Sequence, residues 1–191
     1  MPKKRDQAKI DAQVKDLTGL VEEIKTHSDR AAAIVGAAFI DERLRQYLSR
    51  FLIDKPKEVE ELFGFDRPLG SFGSRIRTAY CLGLLDDDEY HDLKIIQEVR
   101  NAFAHELHGL TFADPWVANK CKDLVLITRG TDPSLYANDA PRNIFLHTVA
   151  DLVASMATEQ FHLYADNARR VVPAPRHWRA GNRKRAADSA G

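Results

Sequence analysis

The chain has little cysteine, no long hydrophobic run and no net charge, and each absence removes a class of protein. Its two cysteines, Cys81 and Cys121, stand in no paired motif. That argues against a disulfide framework and a structural zinc site, and it suits a reducing compartment. The longest apolar run, residues 31–40, is too short and too rich in Ala and Gly to span a bilayer. The opening MPKKRDQAK lacks the apolar stretch of a signal peptide. A cytoplasmic protein with no membrane partner is expected. Lys+Arg and Asp+Glu each total 28, but the charges are unevenly spread. Lys3, Lys4 and Arg5 open the chain. Arg169, Arg170, Arg176, Arg179, Arg183, Lys184 and Arg185 close it against Asp188 alone. Between these ends 18 basic residues face 27 acidic ones, so residues 6–168 carry about −9. An acidic body repels nucleic acid at long range, so any general affinity for it must come from the ends or from a local patch.

What is present is helical periodicity. With 191 residues, 44% of them hydrophobic, one domain with tails is expected, spanning 6–172. Ile10, Val14, Leu17, Val21 and Ile24 make one apolar stripe. Ser28 caps a longer helix that ends before Pro56, with Asp29 in its first turn. Its small-residue first half suits close helix approach. A short helix over 57–63 precedes the loop FDRPLGSFGS. The next helix, about 71–82, places Phe72, Ile76, Ala79 and Tyr80 inward. Acids 86–89 open a helix with Leu93, Ile96, Val99, Phe103 and Leu107 on its apolar face, ended by Gly109. Asp114-Pro115 starts another helix. Residues 124–127 read as a brief β-like run, and a final helix spans about 143–169. Residues 173–191 are polar, basic and read as a disordered tail. The pattern predicts an all-α, compact bundle of about six helices.

The stretch EVRNAFAHELH carries the most chemistry. At about 100° per residue, Asn101, His105 and His108 share a stripe with Lys94 and Glu98, roughly opposite the apolar face. Arg100 lies on the flank, about 140° from His105. A straight helix therefore does not aim both at one small target unless two copies meet or the helix distorts. Arg offers a fixed fork of donors and His titrates near neutrality, so the cluster could bind an anion or move a proton. Spacing alone favours a plainer reading, with Arg100 paired to a neighbouring acid and His105 bridging helices. His105 and His108 as H-x-x-H lack the Glu and paired cysteines of common zinc motifs, and no metal or cofactor is expected. Residues 70–75, ending in Arg75, could cradle a phosphate, but a plain N-cap and turn explains them better. The acids 86–89 could hold a cation, but a dipole-stabilised helix start is simpler. Arg75, Arg100, His105 and His108 are the candidate binding residues. No helix-turn-helix stands out.

The run RPLGSFGSRIRTAYCLGLLDDDEYHDLKIIQEVRNAFAHELHGLTFAD resembles the core of the mannitol operon repressor family of bacterial regulators. With SDRAAAIVGAAFIDERL the resemblance covers about 28–125. It implies an all-helical cytoplasmic protein in negative transcriptional control that lacks a standard DNA-binding motif and acts through a protein partner. It does not imply that mannitol is the signal here. The Arg100-to-His105 element also resembles HEPN helical domains, many of them metal-independent ribonucleases marked by Arg, four to six residues, then His. That resemblance implies catalytic roles for Arg100, Asn101 and His105, with the motifs of two protomers meeting in a cleft. The leading expectation is a non-enzymatic regulator, homodimeric and partner-binding. The alternative is an endoribonuclease. Nucleic acid could bind at the basic tail or the motif cleft.

Overall fold

The computed structural model describes residues 27–53, 55–106, 109–128 and 140–167, with side chains described to 156. The expected N-terminal stripe, most of the loop before the last helix, and the basic tail lie outside these residues, as do Leu107 and His108. The described part is all-α, as expected. In order come α1 (Asp29–Phe51), α2 (Pro56–Leu62), α3 (Phe72–Cys81), α4 (Asp87–His105), α5 (Pro115–Lys122), a 3₁₀ turn (Leu126–Thr128) and α6 (Pro141–Asn167).

Helix boundaries follow local chemistry. Ser28 accepts from the Ala31 amide and starts α1. Pro56 opens α2, where its missing N–H is harmless. Ser71 and Asp86 form reciprocal capping boxes with Ser74 and Glu89 at the starts of α3 and α4. The glycine-rich segment before α3 is therefore a cap and a turn. Helix α1 packs on α6, α4 and α3. Its Ala32, Ala33, Gly36 and Ala37 are buried, and a methyl on Gly36 would meet Phe145 and Val149 at 3.6 Å. Small residues thus let the two longest helices approach closely. Phe103, Phe112 and Phe145 continue the core, with successive ring centroids 5.1 and 5.2 Å apart. Each such buried ring contributes roughly 1.5–3 kcal/mol.

Two expectations need correction. Residues 124–127 contain no strand: the buried Asp92 carboxylate accepts from the amides of Val125 (3.0 Å) and Leu126 (2.9 Å), and the chain closes into the 3₁₀ turn. Tyr80 faces outward. Its ring stacks on Tyr90 at 4.1 Å and its hydroxyl donates to Asp87 at 2.8 Å. Hydrogen bonding at the polar tip explains the turn away from the core.

Candidate recognition site at the end of helix α4

Burial on α4 decides where the motif points. Val99 and Phe103 are fully buried, so residues half a turn away must face out. Arg100, Ala104 and His105 are exposed and Asn101 is half-buried. Among the described residues Arg100 pairs with no acid, and the His105 side chain has no hydrogen-bond partner. The interior lock favoured by spacing is therefore not what forms.

Arg100 Nη1 donates to Asn101 Oδ1 at 2.9 Å. That bond joins the flank to the Asn101 stripe. Asn101 and His105 are one turn apart, with Cβ atoms about 6 Å from each other. Helix α4 stays regular through His105. Asn101 and His105 share one stripe, and the exposed Arg100 bonds to Asn101 from its flank. Such a set can hold an oxyanion or carboxylate and exchange a proton with it.

The end of the helix is fastened from outside. The Arg30 guanidinium donates to the carbonyl of Glu106, the residue that ends α4. Asp29 accepts from the Phe112 amide at 2.9 Å and from Arg142 Nη1 at 2.6 Å, joining the loop after α4 to the starts of α1 and α6. Asp114 accepts from the Thr111 amide and hydroxyl at 2.7 and 2.8 Å. Those bonds hold its carboxyl below the usual range. Spacing gave no sign of Arg30 or Arg142, whose partners are 76 and 113 residues away. Asp92 did leave a signal, an acid in register with Ile96, Val99 and Phe103 on the apolar face.

Arg75, the other predicted binding arginine, is used by the fold. Its side chain is 11% exposed. It donates to the Leu69 carbonyl at 2.7 Å, to Asp41 at 2.6 Å and to the Gly70 carbonyl at 3.4 Å. With those acceptors it ties the loop before α3 to α1, a structural role in place of the expected ligand contact. His108 is outside the described residues. Among the described residues no group of three or more His, Cys, Asp or Glu is placed to hold a metal ion, and no helix is long and apolar enough to cross a membrane.

The fold and this surface define an all-helical protein with an outward Arg–Asn–His stripe at the end of a packed helix. The family model described as mannitol repressor matches residues 36–161, and the chain belongs to that family. It is 23% identical over 116 residues to the mannitol operon repressors of Escherichia coli strain K12 and of Escherichia coli O6:H1 strain CFT073, covering 53% of this chain. The chain spans about 60% of the length of these curated relatives. An X-ray structure of the MtlR-HPr complex from Escherichia coli has a chain with the same fold, at TM-score 0.62 and 19% identity, over 76% of this chain and 99% of that one.

Proposed function

We propose that this chain is a mannitol operon repressor-like transcriptional regulator without a standard DNA-binding motif, working through a protein partner at the α4 stripe. The family match over residues 36–161 carries the reading. Two further observations support it: a relative of the same fold was crystallised with HPr, and the Arg100 and His105 side chains face outward. HPr is therefore the first partner to test. Calorimetric titration of the full chain with HPr should give saturable binding, and deletion of the gene should raise a defined set of transcripts. No heat of binding together with an unchanged transcriptome would overturn the proposal.

A second reading has its own observation, the bond between Arg100 and Asn101 one turn from an exposed His105. In a metal-independent ribonuclease with two motifs facing each other, a ribose 2′-OH would lose its proton and attack the adjacent phosphate, breaking the bond to the 5′-oxygen of the next nucleotide, which leaves protonated. His105 would move protons while Arg100 held the charged phosphorane. Incubation with a mixed RNA pool without divalent metal tests this. Cleavage to 2′,3′-cyclic phosphate ends by the parent, and none by a folded His105→Ala variant, would support it. No cleavage by either would remove it for that substrate pool.

A further inference from the structure

The first half of α1 is apolar on every side. Residues 31–40 read AAAIVGAAFI, without one polar side chain. Most of its circumference is taken. Gly36 faces Phe145 and Val149 of α6, Asp41 meets Arg75 of α3 at 2.6 Å, and Ala33, Ile40 and Leu44 are buried between those flanks. Ala31, Val35 and Ala38 lie on the opposite side, within about 60° of one another. Val35 is 39% exposed, Ala38 is exposed, and Ile34 and Phe39 are half-buried at the edges. From Glu42 on, the same side is polar, with Arg45 and Ser49. A helix that is apolar all round is ordinarily covered all round. This side of α1 is a face without its partner among the described residues.

The chain just before α1 matches it. Ala31, Val35 and Ala38 step by four and three, the seam spacing by which one helix packs along another. Ile10, Val14, Leu17, Val21 and Ile24 step by four, three, four and three. On a helix they fall within about 80°, opposite Asp11, Lys15, Glu22 and Glu23. So narrow a stripe suits one covering helix. Leu17 to Ile24 and Ala31 to Ala38 are equal lengths of sequence, about 10 Å of helix each. Ser28 is extended, with φ −62° and ψ 158°, so the preceding chain does not continue the axis of α1. A helix joined to the next by so short a connection runs back antiparallel to it. That brings Ile24 level with Ala31 and Leu17 level with Ala38. The short tether also gives the segment an effective concentration on the order of millimolar, above that of a second copy in dilute solution.

We propose that residues 10–24 fold back as a helix on the Ala31, Val35 and Ala38 side of α1 and close this face to other partners. The inference stands apart from the regulator reading and uses none of the α4 residues.

The test uses the full chain carrying Cys81→Ser and Ala38→Cys. Its one accessible thiol then sits on the face, because Cys121 is buried. Alkylation by N-ethylmaleimide at pH 8 should be at least tenfold slower at position 38 than at Cys81 of the parent. Adding Leu17→Glu and Val21→Glu should speed it at least tenfold, with Cys121 still unreactive as proof that the body stays folded. Fast alkylation without the glutamates would mean an open face and overturn the proposal. Slow alkylation that the glutamates do not change would also overturn it, and a dimer seen by sedimentation would then give the face to a second copy. Hydrogen exchange of the unsubstituted chain reads the same claim without any variant. Amides 13–24 should exchange at least tenfold more slowly than in the isolated peptide, and equal rates would overturn the proposal.

Discussion

Arg75 and Arg100 have the same side chain on adjacent helices and opposite fates. Arg75 is nearly buried and donates to two carbonyls and a carboxylate. Arg100 is exposed and bonds only the amide beside it among the described residues. The difference comes from what surrounds each. The loop before α3 turns its carbonyls inward and needs a donor fork to satisfy them. At the end of α4 the closing carbonyl is satisfied by Arg30, and Arg100 has no acid partner among the described residues. One guanidinium stabilises the fold and the other is exposed.

Substitution should separate the two most sharply. Arg75→Gln strands Asp41 and two carbonyls. It should cost about 2–4 kcal/mol, at the lower part of the range for broken buried pairs because Asp41 keeps some solvent. Arg100→Gln should stay within about 0.5 kcal/mol of the parent. Urea unfolding of both measures this, and equal losses would erase the distinction.

The loop held by Arg75 offers a second test. A methyl on Gly70 would meet the carbonyl oxygens of Gly64 and Phe65 at 2.3 and 2.4 Å. Gly70→Ala should therefore destabilise by about 2–3 kcal/mol, whereas Ala104→Gly on the exposed stripe should cost only about 1 kcal/mol through helix propensity. Next in size, Asp92→Asn would replace one of the two accepting oxygens with an NH2 donor and leave a neutral amide oxygen to serve the Val125 and Leu126 N–H groups. A loss of about 1–3 kcal/mol is expected in the same assay.

The smallest effect contrasts the cysteines. Burial pushes the Cys121 thiol up to about 12, because desolvation disfavours the thiolate. Below that value it stays protonated and unreactive, so at pH 8 the folded chain should titrate one fast thiol, Cys81, which is exposed. Cys121 should react only after denaturant is added. Two fast thiols in the native state would mean that α5 opens readily.

Local rules made much of this legible. Ser28, Asp86 and the Asp114-Pro115 pair marked helix starts, and the apolar face of α4 identified Val99 and Phe103 as core. The motif was equally visible, because an Arg, an amide and a His in six residues stand out. What stayed hidden depends on contacts across the chain. The Arg75–Asp41 pair spans 34 residues, so no spacing could say that Arg75 is taken. The Arg100–Asn101 bond is a side-chain choice that an ideal-helix projection does not contain. The β-like reading of 124–127 failed because Asp92, 33 residues earlier, captures the amides a strand would have used.

The central claim is that the α4 stripe works outward. Calorimetric titration with HPr of an Arg100→Gln/His105→Gln double variant, whose urea midpoint matches the parent, tests it most directly. The parent should bind, and the double variant should bind at least tenfold more weakly with its stability unchanged. Binding of parent strength by the double variant would contradict it.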